Sequence, residues 1–154
     1  MAAYFHDTSA LIKRNVREIG TAWVRGLTRS DAPHDLYIAR ISIVELIAAI
    51  TRRERGGHLT HAQAAAIIGH FRRRLARRYI VVELSPTLFD DASRLARKHG
   101  LRGYDAVQLA AAEALDRPRS VRGLSPVTLV SADAELNRAA LAERLAVDDP
   151  NQHP

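Results

Sequence analysis

The sequence predicts an α/β protein in which helices cover both faces of a short, mostly parallel sheet, a three-layer α/β/α sandwich. Short runs of apolar and β-branched residues alternate with longer segments of helical periodicity, which is the pattern of a parallel sheet with crossover helices. The 154 residues are 47% hydrophobic and 26% charged, as in an ordinary globular domain. Neither an internal repeat nor a domain boundary is visible, so we expect one domain over residues 1–154.

The first half of the chain predicts two strands and four helices. Aromatic and β-branched residues define strands at residues 2–6 and 36–41. Helical spacing of apolar residues predicts helices at 9–15, 21–27, 42–55 and 60–78. Gly56-Gly57 ends the third helix and Thr60 opens the fourth, so these two helices are expected to form an antiparallel pair. This pair is a candidate contact for a dimer partner or an inhibitor, although its apolar residues equally suit the core.

The second half predicts three strands and three helices. The strands are expected at 80–84, 127–131 and 145–147, and the helices at 87–99, 104–115 and 133–143. Ser85-Pro86 is a favourable helix start and Gly100 a favourable stop. Turn-forming residues and arginines predict a loop over 116–126, and the polar residues 148–154 are expected to fray.

The composition excludes several classes of site and location. The chain has no cysteine, which rules out disulfides, thiolate nucleophiles and metal sites built on sulfur. Any metal must therefore be bound by oxygen or imidazole. No apolar run approaches the roughly 20 residues of a membrane span, and the N-terminus lacks the layout of a signal peptide, so we expect a cytoplasmic protein with no membrane contact.

The net charge of +6 and the pI near 10.4 favour a polyanionic partner such as nucleic acid. Because nearly all the positive charge is arginine in an alanine-rich chain, a compositional bias of the genome would give the same picture, although the charge favours nucleic-acid contact over solvated arginine. The arginine-rich run 71–79 at a helix end is either a solvated face or a contact for RNA or a protein partner. Further basic residues that suit phosphate contact are Arg102, Arg117, Arg119 and Arg122.

Four acidic residues stand among residues apolar enough to be core, namely Asp7, Glu45, Asp105 and Asp133. A buried carboxylate is costly unless it is paired, and open α/β sheets bind ligands at the carboxyl ends of their strands. A shared Mg²⁺ or Mn²⁺ would supply the missing partner, because these ions prefer oxygen ligands. Such an ion activates water and neutralises charge on a phosphodiester, so these acids predict hydrolysis of a nucleic-acid backbone.

A purely structural interpretation of the same acids is helix capping. Ser42 and Glu45 fit the capping box Ser-x-x-Glu, and Asp7 or Asp133 can each be a simple cap. This interpretation leads to a different class of protein, a non-catalytic module that binds RNA or protein. It also predicts that Ser or Asn can replace each acid with little loss of function.

Other chemistry-bearing residues carry weaker signals. His6 adjoins Asp7 but points to the opposite face of an extended strand, so we predict a packing or surface role. Ser9 and Ser131 lack the surroundings of a nucleophilic serine and suit caps or hydrogen-bond donors to metal-binding carboxylates. His58 and His61 lie beside a Gly-Gly turn without a third ligand nearby, which disfavours a zinc site.

Four sequence blocks, taken together, resemble the PIN-domain family and especially its VapC-type toxin ribonucleases. They are Asp7-Thr8-Ser9-Ala10-Leu11, Ser42-Ile43-Val44-Glu45-Leu46, Tyr104-Asp105-Ala106-Val107-Gln108-Leu109-Ala110 and Val130-Ser131-Ala132-Asp133. The resemblance runs from about Phe5 to Val147 and implies a Mg²⁺-dependent endoribonuclease. It further implies a homodimer neutralised by a small antitoxin, whose tail can place a basic side chain in the acidic groove.

The resemblance also implies roles for individual residues. Asp7 and Asp105 would bind the metal directly, Glu45 and Asp133 would complete the acidic cluster through metal or water, and Ser9 and Ser131 would support them. The segment 116–126 departs from the pattern because it is longer and more basic than the usual connection before the last core strand. Since the family also includes RNA-processing proteins, a housekeeping role stands as the alternative to a toxin.

Overall fold

The computed structural model describes residues 1–153 and contains a five-stranded, entirely parallel sheet. The strand order is β3-β2-β1-β4-β5, so the first strand occupies the centre. This arrangement confirms the predicted fold class, because each parallel pair requires a crossover connection. The strands are β1 (Ala3–His6), β2 (Asp35–Ala39), β3 (Tyr79–Val82), β4 (Val127–Val130) and β5 (Ala146–Asp148).

Helices lie on both faces of the sheet and bury two separate hydrophobic clusters. One cluster joins the sheet to α1, α3 and α4 through Leu11, Leu46 and Phe71, and the other joins it to α5, α6 and α7. The helices are α1 (Thr8–Asn15), α2 (Thr21–Leu27), α3 (Arg40–Arg55), α4 (His61–Arg78), α5 (Pro86–His99), α6 (Gly103–Val121) and α7 (Ala134–Ala142). None of the helices within residues 1–153 combines the length and the hydrophobicity needed to cross a bilayer.

Several helix ends form as the sequence predicts. Thr60 caps α4 in a reciprocal capping box with Gln63, and the Ser85 hydroxyl accepts a hydrogen bond from Leu88 N at 3.2 Å. Gly100 ends α5 with a φ of 68°, a left-handed conformation that glycine adopts without strain. These ends fix where α4 and α5 return to the sheet.

The predicted loop over 116–126 is wrong for its first half, because α6 continues to Val121 through Pro118. Arg117 pairs with Glu113 at 3.1 Å, one turn earlier on the same helix. Asp116 accepts a hydrogen bond from Val127 N at 2.8 Å and so ties the helix to the start of β4. These contacts outweigh the local signals of proline and arginine that favoured a loop.

The predicted fraying from Asp148 onward is also wrong for the described residues. Asp148 belongs to β5, and Pro150–Gln152 form a 3₁₀ helix in which Pro150 is buried. The His153 ring stacks on Trp23 of α2, with ring centroids 4.1 Å apart. Tertiary contacts therefore order a segment whose polar composition led us to expect fraying.

Candidate active site

Asp7 follows β1 directly and lies at the carboxyl edge of the sheet, where it is only 4% exposed. Its Oδ1 accepts hydrogen bonds from Ser9 Oγ at 2.6 Å and from Ala10 N at 2.9 Å. Its Oδ2 accepts a hydrogen bond from Ser131 Oγ at 2.9 Å. Asp7 thus caps α1, and both serines donate to its carboxylate.

Burial raises the pKa of Asp7 to about 6, against the three hydrogen bonds that favour the charged form. The charge of Asp105 raises the pKa of Asp7 further. The carboxylate is therefore well oriented but poorly neutralised by the protein itself. A nearby cation would relieve this imbalance.

Glu45 lies one turn inside α3, and the predicted capping box with Ser42 does not form. The helix begins at Arg40 with Ala39 as its N-cap, so Ser42 is already inside it and contacts Gln108. Glu45 Oε2 instead accepts hydrogen bonds from Thr8 Oγ1 at 2.5 Å and Gln108 Nε2 at 2.8 Å. The capping interpretation is wrong for Glu45, whose carboxylate is oriented by α1 and α6.

Asp105 lies in the first turn of α6, beside the other acids. Burial is the largest cause that raises its pKa, followed by the charges of Asp133 and Glu45, while Arg102 opposes the shift. Among residues 1–153 no hydrogen bond reaches its carboxylate, so Asp105 does not cap α6. Its oxygens are free for a ligand.

Asp133 is the N-cap of α7, and its Oδ1 accepts a hydrogen bond from Leu136 N at 2.9 Å. Its own N–H donates to Ser131 Oγ at 3.1 Å, which links it to the hydroxyl that also contacts Asp7. The capping interpretation is therefore correct for Asp7 and Asp133. It does not account for Glu45 and Asp105.

The four carboxylates fit a hard divalent cation by their chemistry. They come from four separate elements, and repulsion between them adds to burial in raising the pKa of Asp7 and of Asp105. Within residues 1–153, however, no three His, Asp or Glu side chains are already drawn together as a metal site. Binding an ion would thus require side-chain rotation, for which Asp105 is the least restrained of the four.

Two clefts meet at Tyr104, the residue before Asp105 in the chain. One, of about 440 Å³, is lined by Thr8, Glu45, Arg52 and Tyr104 among apolar residues. The other, of about 380 Å³, lies between α5 and α6 and also contains Tyr104. Tyr104 is 61% exposed, so an aromatic ring faces solvent between the two clefts. Such a ring suits stacking with a nucleobase.

The sequence analysis gave no role to three residues that lie near Glu45, namely Thr8, Gln108 and Arg52. Gln108 is 2% exposed and links Thr8, Ser42 and Glu45. Its spacing of three from Asp105 places both on one helix face, which is the signal that points to it. Arg52 carries no comparable signal, because many arginines of this chain lie on helices.

His6 behaves as the sequence analysis predicted and serves in packing. It is fully buried, and its ring packs edge-on against Tyr79 with centroids 6.0 Å apart. Burial and the charge of Arg14 lower the pKa of His6 to about 3, so the ring stays neutral. A neutral imidazole on the face opposite Asp7 is not positioned as a base for this site.

Comparison with known proteins gives a consistent family. The PIN domain family model matches residues 4–142. Ribonucleases VapC45 and VapC49 from two Mycobacterium tuberculosis strains are each 32% identical over 118 residues, covering 77% of this chain and 80% of theirs.

Solved structures share the fold at lower sequence identity. PAE2754 from Pyrobaculum aerophilum has a TM-score of 0.67 at 24% identity, covering 98% of this chain and 91% of its own. VapBC2 from Rickettsia felis, solved with a DNA fragment of its promoter, has a TM-score of 0.64 at 15% identity and covers 96% and 98%. The family match and the 32% identity agree with the four sequence blocks around Asp7, Glu45, Asp105 and Asp133. The chain therefore belongs to the PIN-domain family and is a relative of the VapC ribonucleases.

Proposed function

We propose that this protein is an endoribonuclease that hydrolyses RNA phosphodiester bonds with Mg²⁺ or Mn²⁺ held by Asp7, Glu45, Asp105 and Asp133. The observation that carries the proposal is the placement of Asp105 beside Glu45 and Asp133 at the carboxyl edge of the sheet, where its carboxylate has no hydrogen bond within residues 1–153. Helix capping does not explain Asp105 or Glu45. A cation does, because it offsets the repulsion between the acids.

The chain's own residues would prepare the acids for this role. Asp7 and Asp105 are the proposed direct ligands, and Glu45 and Asp133 would bind the ion directly or through water. When bound, the ion would lower the pKa of a water molecule and neutralise charge on the phosphate. Ser9 and Ser131 hold the Asp7 carboxylate in one orientation, while Thr8 and Gln108 do the same for Glu45.

The two clefts that meet at Tyr104 suit a single RNA strand. Arg52 lines the same cleft as Glu45 and is the proposed contact for a backbone phosphate. The exposed Tyr104 ring is the proposed platform for an adjacent base. Because Arg102 opposes the rise in the pKa of Asp105 that burial causes, its positive charge also reaches the site.

We further propose that the protein is the toxin of a toxin–antitoxin pair and acts as a homodimer. One structure of the same fold is a toxin–antitoxin complex from Klebsiella pneumoniae. In the α3–α4 pair, Leu46, Ile50 and Phe71 belong to the core, whereas Val44 is 68% exposed beside the Glu45 cleft. An antitoxin segment with an apolar residue for this cleft and a basic residue for the acids would complement it.

The cleavage experiment compares wild type with Asp105→Asn on cellular RNA in Mg²⁺ buffer, with an EDTA reaction in parallel. We expect Asp105→Asn to lower the cleavage rate by more than about 100-fold, because it removes a proposed ligand rather than a residue that orients one. Asp90→Asn, an exposed change on α5, is the matched control and should cleave like wild type. Wild-type cleavage by a folded Asp105→Asn protein would contradict the proposed role of Asp105 as a ligand. No Mg²⁺-dependent cleavage by wild type would favour the non-catalytic module instead.

A further inference from the structure

We infer that six arginines at the amino edge of the sheet, opposite the four acids, form a second RNA-binding site. This site holds the phosphate backbone of an RNA strand at a distance from the acids. This basic cluster consists of Arg14, Arg25, Arg73, Arg74, Arg77 and Arg78. The inference rests on the proposed ribonuclease function, because that function identifies RNA as the polyanion. It extends that function with a binding surface that performs no chemistry.

Two neighbouring clefts give the basic cluster its shape. One, of about 550 Å³, is lined by Arg14, Arg25 and Arg73 from three different helices. The other, of about 370 Å³, is lined by Arg73 together with Arg74, Arg77 and Arg78. Arg73 and His70 border both clefts, so the two form one concave basic surface with room for successive phosphates.

Within residues 1–153 these arginines have no carboxylate partner. Arg74 and Arg78 donate to the backbone carbonyls of Thr28 and Ala32, and Arg25 donates to the carbonyl of Arg14. The Nε atoms of Arg14, Arg74 and Arg78 are buried without any hydrogen-bond partner in that range. Backbone carbonyls fix these side chains without neutralising them, which leaves donors and charge for an anion.

The pKa shifts of residues in and beside the basic cluster indicate that its positive charge is not neutralised by the protein. The pKa of Arg14 is lowered by burial and then by the charge of Arg74, with a smaller contribution from Arg25. The pKa of His70 is lowered by burial and by the neighbouring arginines. Asp31, whose charge reaches Arg78, is itself paired with Arg29 at 2.7 Å. The repulsion among the positive charges of the basic cluster thus exceeds the attraction that any neighbouring acid provides.

The chain topology separates the basic cluster from the acids. Arg78 immediately precedes β3, and Thr28 and Ala32 precede β2, so these contacts lie at the amino edge of the sheet. Asp7 follows β1 at the carboxyl edge, and the strands are parallel. A four-residue β-strand spans roughly 13 Å, which is more than the distance between successive phosphates. An RNA strand bound both at the acids and at the basic cluster must therefore extend over several nucleotides.

Phosphate chemistry favours RNA over an acidic protein segment here. The arginines line concave clefts on several elements, and planar guanidinium groups bind phosphate oxygens in pairs. Among residues 1–153, Ala66 and Ile67 are the only apolar side chains that line the clefts, whereas a protein segment needs apolar anchors.

The test measures how RNA affinity depends on salt. Fluorescence anisotropy would follow a short labelled polyuridylate strand in EDTA, which prevents cleavage, between about 50 and 200 mM KCl. The variant Arg73→Ala/Arg77→Ala removes two exposed arginines of the basic cluster. Its matched control, Arg72→Ala/Arg97→Ala, removes two exposed arginines that line neither cleft. Both variants lose the same net charge.

We expect the slope of log K against log salt to fall in magnitude by about 1.4 in the cluster variant, since each phosphate contact to a single strand contributes about 0.7. The control should keep the wild-type slope. Equal slopes in the two variants would overturn the inference. A labelled oligoglutamate peptide is titrated in parallel, and a loss of binding confined to that peptide would overturn it in favour of an acidic protein partner.

Failure of the proposed function would look different in the same proteins. Wild type would then fail to cut RNA in Mg²⁺ even though the slopes in EDTA differ between the cluster variant and its control. Failure of the inference alone would leave cleavage intact and the slopes equal.

Discussion

The Asp7 carboxyl is buried, accepts three hydrogen bonds, and still has its pKa raised to about 6. Its orientation therefore suits a ligand-binding role, while its charge opposes folding in the absence of a cation. In the unfolded chain its pKa returns to the ordinary value of 3.8. Because the folded value is higher, the stabilisation from the protonated form is fully present below about pH 4 and is lost as the pH rises through 6.

The substitution Asp7→Asn is expected to change the free energy of unfolding in metal-free buffer. A shift from 3.8 to about 6 corresponds to about 3 kcal/mol between low and neutral pH. Asn keeps an acceptor for Ala10 N and carries no charge, so the variant should be more stable than wild type at pH 8 and similar at pH 4. Urea unfolding at the two pH values measures this, with Asp90→Asn as the control. A variant that is less stable than wild type at pH 8 would contradict the account.

The sequence singled out the four acidic residues as candidates but could not determine which of them cap helices. Asp7 and Asp133 cap α1 and α7, and Glu45 does not cap α3 because β2 ends at Ala39. That end depends on strand pairing with β1 and β3, which no local pattern encodes. The role of Gln108 depends likewise on contacts with residues 63 to 100 positions away.

Among the elements, α6 shows most clearly where local signals fail. Pro118 lacks an N–H and cannot bond to the carbonyl one turn earlier, yet the helix runs on to Val121. Contacts of Asp116 and Arg117 supply the missing stabilisation. By contrast, α4 and α5 were predicted well, because their starts at Thr60 and Ser85 and the Gly100 stop are set by short-range hydrogen bonds.

Pro118→Ala should stabilise the protein, because it restores a helical hydrogen bond inside α6. The gain is expected to be about 1 to 2 kcal/mol, since the interior cost of proline is about 3 kcal/mol and alanine makes the unfolded chain more flexible. Thermal or urea unfolding of the two proteins gives the difference. Loss of stability in the variant would mean that the helix ends before residue 118 and that proline favours a turn there.

At the scale of the whole molecule, the net charge of +6 conceals a separation of charge. Acids gather at the carboxyl edge of the sheet and the six arginines of the basic cluster at the amino edge. Composition indicated a polyanionic partner but could not locate it, because Arg14, Arg25 and Arg73 come together only in the folded chain. The parallel topology could be predicted, since the alternation of strands and helices persists along the whole sequence.

The proposed chemistry depends on a divalent cation bound by the acids at the carboxyl edge. Calorimetric titration of Mn²⁺ into purified wild type and Asp105→Asn, at equal salt and with Asp90→Asn as control, measures that binding. We expect wild type and the control to bind Mn²⁺ and Asp105→Asn to lose that binding, because Asp105 is the acid with no internal hydrogen-bond partner among residues 1–153. Equal binding by wild type and Asp105→Asn, or no binding by wild type even with RNA present, would contradict the account.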